Sequence, residues 1–268
     1  MYTFNLQTET DITARSLALS MISVANNSDQ SIGELIRIGN LLSIEASTIR
    51  VAVTRLLREG MLSSKQRGYY QPGAASKALT NQLRNWSDIE SRVRPWSRDW
   101  ITVHISHLGR SNRKKLRKWT RALTLYGYAE VHSGFYVRPA NLSASLGQHR
   151  EELVSIGLDE AAIMMHVSEV ASGDQQDWHT LWPLAQLRSS YDDAIDCMQS
   201  SLEQLPGMNV EQAAKETLLV GQSVIRTINY DPLLPEEIGD SVRFLEMLKL
   251  MVHYNEVGQS YWREFQAR

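Results

Sequence analysis

Apolar positions recur at helical spacing through the first part of the chain and then switch to alternation. Over 12–25, Ile12, Leu19, Ile22 and Ala25 supply one apolar face, which predicts a helix. Asn26-Asn27-Ser28-Asp29 is turn chemistry. Ser31, with Glu34 three residues on, forms a capping box for a short second helix. Past Gly39-Asn40 a third helix is predicted over 45–59, stopped by Gly60. Met61–Lys65 and Gly68–Gln71 read as two strands around a Gln66-Arg67 tip. Three helices followed by a β-hairpin predict a winged helix-turn-helix domain over 1–85.

The stretch 86–100 holds three tryptophans and Pro95, and reads as a linking helix, with a linker over 86–99. From Trp100 the pattern changes. Trp100–Ile105 alternates as a strand, 110–126 is a basic amphipathic helix, and Tyr128–His132 and Phe135–Arg138 are strands around Ser133-Gly134. A helix over 146–156 and a strand over 162–167 complete a βαββαβ order, the ferredoxin-like arrangement, over 100–170. The remainder, 171–268, carries helical patterns only, at about 180–205, 211–228 and 240–265, parted by Pro206-Gly207 and Asp231-Pro232-Leu233-Leu234-Pro235. The expected class is α+β and multi-domain.

Composition changes this picture chiefly through charge. The 268 residues carry a net charge of −2, but unevenly. Residues 1–95 hold 11 basic against 8 acidic side chains, 96–170 hold 10 against 7, and 171–268 hold 7 against 15. A polyanion is therefore expected to meet the first two thirds. The single cysteine, Cys197, excludes an internal disulfide framework and reads as a small core residue. The N-terminus has no signal-peptide pattern and no apolar run would span a bilayer, so a cytoplasmic protein with no membrane partner is expected.

The third helix is the informative stretch. Ile49, Ala52, Val53 and Leu56 fall on one face, leaving Ser47, Thr48, Arg50, Val51, Thr54, Arg55 and Arg58 on the other. A major groove takes this mixture: hydroxyls and arginines for phosphates and base edges, and a small apolar group for a thymine methyl. Arg67 at the hairpin tip is placed to reach the adjacent minor groove or backbone, or is simply a polar tip. The run Arg110–Arg121 could support DNA phosphates, hold the phosphates of a ligand such as a coenzyme A thioester, or form a solvated face whose Leu116, Trp119, Leu123 and Tyr126 pack on the sheet. Enzyme signatures are poor. There is no glycine-rich phosphate loop, HExxH or GxSxG, and His104 and His107 point to opposite faces of a strand end. No cofactor, catalytic residue or metal site is expected.

With these elements in place the chain resembles the PaaX family of phenylacetate-degradation repressors. The resemblance rests on Ile49–Leu62, on Trp96-Ser97-Arg98-Asp99-Trp100, on Tyr126-Gly127-Tyr128, on Gly134-Phe135-Tyr136-Val137-Arg138-Pro139-Ala140-Asn141, and on Asp231–Pro235, in that order. It departs at two places. The glycine the family places between the paired tryptophans is replaced by Arg98-Asp99, and the family's Trp-Pro-Gly after the Asp-Pro motif is replaced by Glu236–Asp240. The resemblance implies a winged helix, a middle domain similar to small ferredoxin-like nucleases, and a helical C-terminal domain. It also implies a homodimeric repressor of a catabolic operon that binds double-stranded operator DNA and is released by an aryl-acyl-CoA, phenylacetyl-CoA or another acyl-CoA.

On that reading the effector falls to the basic helix, through Arg113, Lys114 and Arg117. The C-terminal region adds Trp178, His179, Trp182, Tyr191, Arg226, Tyr230, Arg243, His253 and Tyr254, from which an apolar pocket with a few convergent polar groups is expected. The alternative is a metal-dependent nuclease or nucleic-acid-processing adaptor built on the middle domain. Nucleases similar to it carry a metal-binding carboxylate at the end of the first strand, where this chain reads Ile105-Ser106-His107-Leu108.

Overall fold

The computed structural model describes residues 2–24, 29–76, 85–109, 111–171 and 178–268. Its contacts divide the chain into two compact units. One, the hairpin unit, gathers Phe4–Ser87, Asp193–Arg226 and Lys249–Arg268; the other, the sheet unit, gathers Met1–Thr3, Asp88–Asp192 and Thr227–Leu248. The chain is mixed α and β with two antiparallel sheets.

In the hairpin unit, α1 spans Ala14–Val24, α2 Ile32–Leu41 and α3 Ala46–Arg58. The capping box at α2 is formed: the Glu34 amide donates to Ser31 Oγ at 3.1 Å and the Ser31 amide to Glu34 Oε2 at 3.2 Å. Gly39 lets α2 close on α3, since a Cβ there would stand 2.1 Å from Ile49 Cδ1. The hairpin strands are β2, Leu62–Gln66, and β3, Tyr69–Pro72. A two-residue strand, β1 (Gln30–Ser31), pairs antiparallel with β3 and closes a three-stranded sheet of order β1-β3-β2. No periodicity announces so short a strand. The turn read at Asn26–Asp29 lies outside the described residues except for Asp29.

The core of this unit joins Ala18, Ile22, Leu35, Ile49, Val53, Leu56 and Leu62. A second cluster places Leu218 beside Ile12, Leu17, Ile38 and Leu42, with Trp262 packed against it. Leu218 lies on α7 (Val210–Asn229) and Trp262 on α8 (Ser241–Ala267), so the C-terminal helices pack on α1 and α2. Arg37 of α2 secures this contact. Its guanidinium lies 4.4 Å from the centre of the Phe265 ring and donates to the Phe265 and Gln266 carbonyls, which the end of α8 leaves without helical partners.

In the sheet unit, β4 (Trp100–His104), α4 (Arg113–Leu125), β5 (Ala129–His132), β6 (Phe135–Pro139), α5 (Leu146–Ile156) and β7 (Ile163–Val167) follow in the predicted βαββαβ order. The four strands form an antiparallel sheet of order β5-β6-β4-β7. β4 is covered on both faces. Ile101 and Val103 meet Trp119, Leu123 and Leu153 from the two helices. Trp100, pointing the other way, is wholly buried among Trp96, Trp178 and Trp182, with ring centres 5.2, 5.3 and 6.4 Å away.

The stretch read as a linking helix is built otherwise. Asn85–Arg92 is 3-10 with a kink at Asp88, and the chain then runs extended, Val93 bridging Leu142. Trp86, Ile89 and Trp96 are buried, so packing of these apolar side chains overrides the helical pattern. The helix α6 spans Leu184–Gln204. No helix among the described residues is long and apolar enough to cross a membrane.

Candidate nucleic-acid interface and a cavity

The outer face of α3 is as the periodicity requires. Ile49, Val53 and Leu56 are at most 2% exposed, whereas Ser47, Thr48, Arg50, Val51, Thr54, Arg55 and Arg58 are all exposed. Val51 leaves half its surface in water among the exposed arginines of this face. The Thr54 hydroxyl donates to the Arg50 carbonyl at 2.8 Å, so it faces outward chiefly as an acceptor. Arg67 is exposed at the hairpin tip.

The predicted effector residues separate. Arg113, Lys114 and Arg117 stand exposed on the first turns of α4, whose first turn is capped by Asn112 accepting from the Lys115 amide at 3.0 Å. Trp178, His179 and Trp182 are packing groups around Trp100, and Trp182 donates its indole proton to the Gly127 carbonyl at 3.1 Å. Arg243 is held by Asp192 at 2.6 Å and Glu246 at 2.8 Å. Arg226 is exposed on α7 within the hairpin unit. None of these lines a cavity in the sheet unit beside Tyr191.

That cavity, of about 340 Å³, lies between the 89–96 segment, the first turns of α6, the 231–240 loop and the start of α8. Its apolar wall includes Trp96, Leu187, Leu234 and Phe244. Tyr191, expected in a ligand pocket, lines it. Asp231 and Asn141 line it too, and the sequence alone assigned neither to a site. Apart from Ile49–Leu62 in the hairpin unit, the motifs that carried the family resemblance meet at or behind this wall. The buried Arg138 guanidinium donates to the Tyr126 and Pro139 carbonyls and to Asn141 Oδ1, and the Asn141 amide donates to the Leu233 carbonyl at 2.7 Å. Gly127, at a φ of +74°, sits against Pro232, where a Cβ would fall 2.5 Å from the Pro232 oxygen.

Two buried titratable groups here respond to acid in opposite senses. Burial, reinforced by Arg138 and Arg92, pulls His149 down to about 3 from its ordinary 6.5. The unfolded chain takes that proton first, so the His149 contribution is complete above about 6.5 and is lost as pH falls toward 3. Burial pushes Asp231 up to about 6 from 3.8, against the hydrogen bonds from Tyr191 and the Leu233 amide. Its contribution is complete below about 3.8 and is lost as pH rises through 6. Urea unfolding of His149→Gln between pH 4 and 7 is therefore expected to show a shallower acid loss than the parent, and Asp231→Asn a steeper one. Parallel curves for all three proteins would refute the assignment.

Arg98 answers the first departure from the family pattern. It holds a left-handed φ of +63° immediately before β4, a conformation glycine adopts without strain. Arg98→Gly is expected to leave stability unchanged or raise it by up to about 1 kcal/mol, read by thermal unfolding. A loss would contradict strain at that position. Among the described residues no group of three or more histidine, cysteine or carboxylate side chains could hold a metal ion.

The class defined by these features is an α+β protein whose hairpin unit presents an arginine-bearing helix to solvent. Residues 13–73 match the family model described as PaaX-like protein, which bears out for that segment the resemblance read from the motifs. Over its whole length the chain is similar in fold to the solved structure of the uncharacterized protein Rv0674 from Mycobacterium tuberculosis. That likeness has 20% identity and a TM-score of 0.61, and covers 95% of this chain and 98% of that one. No curated protein matches it.

Proposed function

We propose that this protein is a DNA-binding transcriptional regulator, a repressor of a catabolic operon that acts as a homodimer. The observation that carries this reading is the face of α3. Seven side chains suited to phosphates and base edges are exposed together on a helix whose other side is fixed in the core. In this reading the hairpin unit is a winged helix, with α3 in the major groove and Arg67 at the wing tip on the minor groove or backbone. The C-terminal helices brace α1 and α2 and leave α3 open. The sheet unit is a ferredoxin-like scaffold for dimerisation or effector binding.

A homodimer matches a two-fold operator with half-sites about 10 bp apart or a multiple of that. Footprinting on the protein's own promoter, with light scattering for the mass, is expected to give a paired footprint and a dimer. A monomer on one short asymmetric site would defeat the proposal. The effector implied by the resemblance is an aryl-acyl-CoA, its phosphates met by Arg113, Lys114 and Arg117, and calorimetry with phenylacetyl-CoA tests it. The rival nuclease lacks a carboxylate over Ile105–Leu108, and a metal-dependent cleavage assay is expected to be blank.

A further inference from the structure

The walls of the sheet-unit cavity combine aromatic surface with an excess of negative charge. Two arginines line it and both are engaged. Arg188 pairs with Asp240 at 2.6 Å, and Arg94 donates to the Ala140 carbonyl at 3.0 Å while standing 4.0 Å from Asp99. Against them stand five carboxylates, of which Asp240 is paired; Glu90, Glu236 and Glu237 are exposed at the lining, and Asp231 is buried in the wall. Arg138, the nearest buried guanidinium on the motif side, lies behind Asn141 and is spent on carbonyls.

Asp231 is the instructive group. It is 8% exposed, and its hydrogen-bond partners are neutral donors: the Tyr191 hydroxyl on Oδ2 at 2.5 Å and the Leu233 amide on Oδ1 at 2.8 Å. Among the described residues no cation pairs with it. Each oxygen keeps a lone pair. A carboxylate buried without a cation is costly, and a cavity beside it gives room for the cation to come from outside. The volume suits one ring on a short chain, and Trp96, Tyr191 and Phe244 offer faces that attract both an apolar body and a positive head. Tyr191 and Phe244 already meet edge to face at 5.7 Å.

We infer that this cavity binds a small apolar molecule bearing a protonated amine, with the ammonium donating to Asp231 and the body between Trp96 and Phe244. A free carboxylate or a phosphate-bearing tail would meet Glu90, Glu236 and Glu237 at the lining and is disfavoured. The stretch Glu236–Asp240, where the chain departs from the family pattern, belongs to this same lining. The inference goes beyond the regulatory reading, since it rests on the cavity and not on DNA contact.

A matched pair of probes tests it. 2-Phenylethylamine and phenylacetate share a body and differ in the sign of the charged end. Calorimetry on the full chain at pH 7 is expected to show the amine binding at least about tenfold tighter than the acid. Asp231→Asn should lose most of that preference. The double variant Glu236→Gln, Glu237→Gln changes only exposed groups and is expected to weaken the amine a few-fold with the fold intact. Because burial holds the Asp231 proton up to about 6, amine affinity should rise as pH increases from 5 to 7. Tighter binding of phenylacetate, or amine affinity unmoved by all the variants, would overturn the assignment. A protein that binds the amine but no promoter DNA would overturn the regulatory reading and leave this one standing.

Discussion

Arg50→Ala and Arg55→Ala are each expected to cost about 1–3 kcal/mol of operator binding, and together about 30-fold in affinity or more. Both side chains are exposed on α3, whose buried face is locked by Ile49, Val53 and Leu56, so neither substitution touches the core. Unfolding curves should therefore superpose on the parent. The two possible roles separate by salt. A guanidinium on a phosphate releases counterions, so its removal flattens the salt dependence by about one unit and weakens all sequences alike. A guanidinium on guanine leaves that slope less changed and relaxes the preference at one base pair. Unchanged operator affinity in both variants, with normal folding, would remove α3 from the interface.

Arg138→Ala is expected to destabilise the protein by at least about 3 kcal/mol, measured by urea unfolding. The side chain is 1% exposed and pairs with no carboxylate among the described residues. Burial draws its guanidinium down to about 10, yet it stays charged at neutral pH because three oxygens receive its protons: Tyr126 O, Pro139 O and Asn141 Oδ1. Truncation leaves those acceptors buried and unpaired, at about 1–3 kcal/mol each, and opens a void. Arg138→Lys should recover only part of the loss, since an ammonium has no planar fork to span the three. A loss below about 1 kcal/mol for the alanine variant would mean the network contributes little. Asn141 links this network to Leu233 and so to the cavity wall, which predicts that the same variant also perturbs ligand binding there.

Apart from β1 and the 85–92 segment, the helices and strands of both units were legible because their signals are local. The capping box at Ser31, the apolar stripe of α3, the alternation of β4 and the run of α5 over Leu146–Ile156 each depend on residues within a few positions of one another. The exposed face of α3 follows from the same arithmetic, so the candidate DNA-contacting residues are fixed by spacing alone. The cavity could not. Its walls come from segments around 90, 141, 187, 231 and 244, and no periodicity relates positions so far apart. Sequence alone marked Trp178, His179 and Trp182 as pocket aromatics, and all three pack around Trp100, away from this cavity, while Asp231 and Asn141 gain their place only when the 231–235 loop meets Gly127 and the end of β6. The chain thus determined by itself which faces are apolar and which are charged, through short-range spacing. Tertiary structure decided which of those faces enclose a space, because enclosure depends on contacts between segments that only folding brings together.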